Sequence, residues 1–159
     1  MSPAVRSSLS ESNIFAPDDV RAAVAVKTIT NKGIELVDGL VLPSACIFIG
    51  GRVFLWNVPP ITTSWDAWNL DHFKIFEVVI PRPEILILGT GEKSLIPPPE
   101  IKKYLSSIGV QLDVMNTWNA CSTYNLLVEE GRRVAAALLP LSHRQWDNAP
   151  SPSPLTLQQ

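Results

Sequence analysis

Four consecutive aliphatic residues, Ile85-Leu86-Ile87-Leu88, constrain this chain more than any other stretch. A strand with one wet face alternates apolar and polar residues, so an unbroken run predicts a strand covered on both faces, at the centre of a sheet. The residues after it predict the connections. Pro99 and Glu100 suit a first helical turn, Ile101, Tyr104, Leu105 and Ile108 recur at helical spacing, and Gly109 is placed to stop the helix. Val110, Leu112 and Val114 then alternate with Gln111 and Asp113, which predicts a less central strand. Ala120, Cys121, Tyr124, Leu127 and Val128 form one helical stripe, with Thr117 or Asn119 as the N-cap and Gly131 as the stop. Residues 134–139 read as a buried strand or, as the lesser alternative, a helix, and Pro140 ends them. Strand, helix, strand, helix and strand in this order need crossover connections. The expected fold is therefore α/β: a three-layer single domain with a central mixed β-sheet flanked by helices, plus N-terminal β-hairpins.

Those hairpins are read from alternation and turn chemistry. Residues 26–30 alternate, Asn31-Lys32-Gly33 can turn, and Ile34-Glu35-Leu36 returns; residues 46–49 and 53–56 repeat the pattern around Gly50-Gly51, with Pro59-Pro60 closing it. Residues 64–76 place Trp65, Trp68, Phe73 and Phe76 at roughly helical spacing, which predicts a helix there, with an extended Ile75 to Ile80 as the alternative. Residues 1–17 and 142–159 are Ser- and Pro-containing and lack an apolar period, so they read as flexible tails around a domain at 18–141.

Composition narrows the function. With 46% hydrophobic and 18% charged residues the chain can bury a core, and a formal charge of −2 without a Lys/Arg cluster argues against nucleic acid as partner. The apolar stretch from Ile75 to Leu88 is broken by Glu77 and by Pro81-Arg82-Pro83-Glu84 before it reaches a membrane-spanning length. Cys46 and Cys121, the only cysteines, form no CxxC pair, and the two histidines, His72 and His143, have no spacing that suggests a metal or a catalytic base. No catalytic, cofactor or metal-ligand set is expected.

Gly89-Thr90-Gly91 follows the buried strand and precedes a helix, where α/β folds bind phosphate. A dinucleotide fingerprint needs a third glycine, however. Here Glu92-Lys93-Ser94 follows, Glu92 brings negative charge, and Pro97-Pro98-Pro99 delays the helix. A tight turn packing strand against helix is the better reading. Gly89, Thr90, Gly91, Asn119, Cys121 and Asn125 form a candidate polar crevice, if the crossovers bring them together. Cys121 reads as a small core residue, with a helix-start nucleophile as the lesser alternative. Trp56, Trp65 and Trp68 crowd near Pro59-Pro60 and are candidate partner-binding anchors, though core packing is their commoner use.

Trp56-Asn57, residues 85–91, the run Thr117-Trp118-Asn119-Ala120-Cys121-Ser122-Thr123-Tyr124-Asn125-Leu126-Leu127, Glu130-Gly131-Arg132 and Ala135-Ala136-Ala137-Leu138-Leu139-Pro140 together resemble the mitochondrial NADH:ubiquinone oxidoreductase (complex I) assembly factor 3 family. The likeness covers residues 13–140. It implies a three-layer α/β fold and a mitochondrial protein on the matrix side of the inner membrane. It further implies a non-catalytic, chaperone-like role in building the matrix arm near the quinone module, with assembly factor 4 and quinone-module subunits as partners and no cofactor. The alternative is a small-ligand-binding protein or enzyme built on Gly89 to Gly91 and Asn119 to Cys121.

Overall fold

A computed structural model describes residues 24–143. The expected tails and the first residues of the expected domain, 18–23, lie outside these, apart from residues 142 and 143. The central element is β6 (Ile85–Gly89), every residue of which is buried. The chain continues through α2 (Pro99–Ser107), β7 (Gln111–Met115), α3 (Thr117–Glu129) and β8 (Val134–Leu138), so residues 134–138 are a strand and not a helix. β6 pairs in parallel with β7 on one side and β8 on the other, which makes β7 an edge strand as its half-polar alternation predicts.

The second hairpin, β4 (Cys46–Ile49) and β5 (Arg52–Leu55), joins this sheet antiparallel to β8. The result is a mixed five-stranded sheet in the order β5-β4-β8-β6-β7. The first hairpin does not extend it. β1 (Val26–Thr30) and β2 (Gly33–Leu36) combine with β3 (Val41–Leu42) in a separate three-stranded sheet. Gly33 fixes that corner: its φ is +137°, and a Cβ there would overlap the Leu42 carbonyl.

Both faces of the large sheet are covered, so the residues of each strand divide between two cores. Leu86 and Leu88 of β6 and Ala135 and Ala137 of β8 meet α2 and a cap of aromatic rings. Ile85, Ile87, Ala136 and Leu138 meet α3 and the small sheet on the other face. Leu86, Ile87 and Leu88 are completely buried, and burial of such side chains contributes about 1.5–3 kcal/mol each. This is the physical content of the unbroken apolar run.

The aromatic cap corrects one expectation. Residues 64–76 are not one helix: a 3-10 turn (Leu70–Phe73) and a single helical turn, α1 (Ile75–Val78), follow an irregular stretch. Local side-chain bonds compete with the helix there. Ser64 Oγ donates to Asp66 at 2.7 Å, the Asn69 side chain accepts the Asp71 N–H at 2.9 Å, and His72 Nδ1 accepts the Asn69 N–H at 3.1 Å.

Candidate functional site

In open α/β sheets ligands settle beyond the carboxyl ends of the strands, where successive connections leave towards opposite faces. Here that point lies between the loops after β6 and β7, because β6 leads to α2 on one face and β7 to α3 on the other. The crevice is shut. Thr117, the first residue of α3, is completely buried, and its hydroxyl accepts the Gly91 N–H at 2.8 Å and donates to the Leu139 carbonyl at 2.7 Å. Its own N–H donates to the Gly91 carbonyl at 2.9 Å. Leu139 N–H reaches back to the Gly89 carbonyl at 2.9 Å, so the three loops after β6, β7 and β8 are tied to one another. The Gly91 donor a phosphate would use is already spent.

The other members of the turn serve the same closure. A Cβ on Gly89 would stand 3.0 Å from the Ala120 Cβ, the Leu138 Cδ2 and the Thr117 Oγ1, so glycine is what lets α3 sit this close to β6. Thr90 donates its N–H to the Met115 carbonyl at 3.0 Å, while its hydroxyl accepts the Leu95 N–H at 3.0 Å and donates to the Lys93 carbonyl. Gly91 turns the chain with φ +94°. A cleft of about 230 Å³ remains beside the knot, lined in part by Thr62, Thr90, Gly91, Lys93 and His143. Small-molecule and cofactor sites run to about 300–1,000 Å³, so it is undersized for a dinucleotide.

The expected crevice residues therefore separate. Gly89, Thr90 and Gly91 stay together, and Asn119, Cys121 and Asn125 go elsewhere. Asn119 is exposed, and its N–H is bound by the Asn116 side chain at 2.9 Å; Asn116 is the N-cap of α3, not Thr117 or Asn119. Cys121 is buried in the core beneath α3, where burial pushes its thiol up to about 12. Cys46, in the same core, is pushed up further by burial and by Cys121. A thiol held protonated is a poor nucleophile. Asn125 accepts the Val26 N–H at 3.0 Å and donates to the Val26 carbonyl at 2.8 Å, tying the small sheet to α3.

Of the three candidate tryptophan anchors, two face inward. Trp56 and Trp68 are each only 8% exposed, too buried to dock a partner in this conformation. Trp68 is the hub of the cap, with ring centroids 5.2 Å from Trp56, 5.1 Å from the half-buried Trp65 and 5.2 Å from His72. Trp56 donates its indole N–H to the His72 carbonyl at 3.0 Å, whereas the Trp68 indole N–H is buried without a partner among the described residues. The large apolar side chains that face outward include Phe54 and Leu55 on edge strand β5, Val37, Leu40 and Val41 around the β2–β3 turn, Ile80, Ile96 and Trp118. Only the edge position of β5, after the Gly50-Gly51 turn, could have hinted at any of them. Among the described residues no group of three or more His, Cys, Asp or Glu is placed to hold a metal, and no helix is long and apolar enough to cross a membrane.

Comparison with known proteins gives this architecture relatives. Assembly factor 3 of the NADH dehydrogenase [ubiquinone] 1 alpha subcomplex from Xenopus tropicalis is 36% identical over 115 residues, 72% of this chain and 60% of the relative. The chain thus spans about three fifths of the length of the curated relatives it matches. A protein of Francisella tularensis named 13 kDa major membrane protein is 44% identical over 74 residues, 46% of this chain and 60% of that protein. Among solved structures, one from Bordetella parapertussis superimposes with a TM-score of 0.62 at 31% identity, over 75% of this chain and 98% of that chain. A Bordetella pertussis protein described as a Mth938-like domain follows with a TM-score of 0.60 at 29% identity, over 76% and 87%. A family model described as a protein of unknown function, DUF498/DUF598, matches residues 26–139, from the first residue of β1 to just past β8. The resemblance read from the Gly-Thr-Gly and Asn-Ala-Cys stretches thus rests on the whole fold, and the chain belongs to the DUF498/DUF598 family.

Proposed function

We propose that this protein is a non-catalytic assembly factor for mitochondrial respiratory complex I, working on the matrix side of the inner membrane as a chaperone-like module that holds subunits of the matrix arm near the quinone module. Assembly factor 4 is its direct partner in this reading. The observation that carries it is the likeness, across most of the described fold, to proteins named assembly factor 3 of complex I. The closure of the carboxyl end by Thr117 supports it, because the position where an α/β enzyme would hold its nucleotide is taken by the protein's own hydroxyl. The outward-facing Phe54, Leu55, Val37 and Leu40 supply apolar surface of the kind that protein partners cover.

Complexome profiling of mitochondria tests the reading. The protein should migrate with partly built complex I containing quinone-module subunits, and its deletion should stall those intermediates. Migration as a free monomer only, with complex I intact after deletion, would overturn it.

A further inference from the structure

The opposite end of the sheet is built differently. Beyond the amino ends of β6 and β8 lies a groove of about 200 Å³, lined by Ile49, the Gly50-Gly51 turn, Tyr124, Val128 and the consecutive Arg132 and Arg133, among others. Ile49 and Tyr124 are core residues whose side chains also form the groove wall. Gly50 and Gly51 turn with φ +57° and +69° and carry no side chain to fill the space. The volume falls below the roughly 300–1,000 Å³ of small-molecule and cofactor sites and suits one large apolar side chain.

Charge selects what accompanies that side chain. Arg133 and Arg132 share a single carboxylate, Glu84: Arg133 holds it through Nη2 at 2.8 Å and Nε at 3.3 Å, while Arg132 Nε comes only to 3.7 Å. Among the described residues Arg132 makes only this long contact, so its half-exposed guanidinium retains its planar set of donors for an incoming carboxylate. The exposed acids Glu129 and Glu130, at the end of α3, are close in sequence but do not line the groove.

We infer that this groove is a socket for a partner protein segment bearing a large apolar residue next to Asp or Glu, the apolar side chain entering beside Ile49, Tyr124 and Val128 and the carboxylate meeting Arg132. The socket rests on the protein-binding role proposed above and gives it a place.

The test is a ¹H–¹⁵N NMR titration of the full chain with an acetylated, amidated alanine hexapeptide containing one Leu-Asp pair, run beside the same peptide with Leu-Asn and beside octanoate. The Leu-Asp peptide should move the amides of Gly50, Gly51, Val128 and Arg132 together. The Leu-Asn peptide, or Arg132→Glu with Leu-Asp, should weaken binding by about tenfold or more, and Arg132→Lys should recover part of it. Equal binding of both peptides, shifts confined to another surface, no shifts at all, or a groove filled by octanoate but not by peptide would each overturn the socket. None of these results bears on co-migration with complex I intermediates, so the socket and the assembly role fail separately.

Discussion

The two ends of the sheet carry opposite designs. At the carboxyl end three loops converge where α/β folds commonly bind a ligand, and one buried hydroxyl, that of Thr117, ties them shut. At the amino end a groove of about 200 Å³, no larger than the cleft of about 230 Å³ beside Thr117, is lined by a glycine turn, apolar side chains and two arginines that share one carboxylate. The difference teaches that the place where a fold usually works is not evidence of work there. A glycine pair after a central strand reads as a phosphate loop only while its N–H groups are free. Once Gly91 donates to Thr117, the same residues are fastenings.

This contrast can be broken most forcefully at Thr117. Thr117→Val keeps the shape but leaves the buried Gly91 N–H and Leu139 carbonyl without their partner, a loss of about 2–6 kcal/mol in chemical denaturation at about 1–3 kcal/mol per orphaned group. Thr117→Ser should retain most of the stability, and a Thr117→Val variant as stable as the parent would show the knot to be incidental. Gly89→Ala comes next. Its Cβ would stand 3.0 Å from three groups on α3 and β8, so overpacking should cost about 1–3 kcal/mol, measured the same way. The smallest effect belongs to the amino end, where Arg132→Glu removes only an exposed, long ion pair and should leave stability within about 0.5 kcal/mol. A loss there as large as at Thr117 would mean that the arginines build the fold, erasing the distinction between the two ends.

The sequence was most legible where one local pattern had one solution. The unbroken run at β6, the spacing of α2 with its proline start, and the half-polar β7 all lie where they were read, because burial on both faces, one face or an edge leaves different periodicities. Residues 64–76 misled for a physical reason: helical spacing of aromatics also arises when rings pack edge to face, and Ser64, Asn69 and His72 offered the backbone other partners. The same aromatics read as core residues or as surface anchors, since a residue count near Pro59-Pro60 carries no information on which side they face. At the candidate site the turn itself was legible as a packing element, but its closure was not. Thr117 reaches Gly91 across 26 residues and Leu139 across 22, and Asn125 reaches Val26 across 99, distances over which no spacing rule operates. The groove at the amino end draws on the β4–β5 turn, the approach to β6, α3 and the start of β8, and so had no contiguous signature to read.

Native-state hydrogen exchange at the Gly91 amide, with and without NADH, shows whether the three loops at the carboxyl end form a closed knot. The Gly91 amide should exchange only through global unfolding, at a rate NADH leaves unchanged. An amide that exchanges freely in the protein alone and slows when NADH is added would contradict it, since the turn would then be open and phosphate would be its partner.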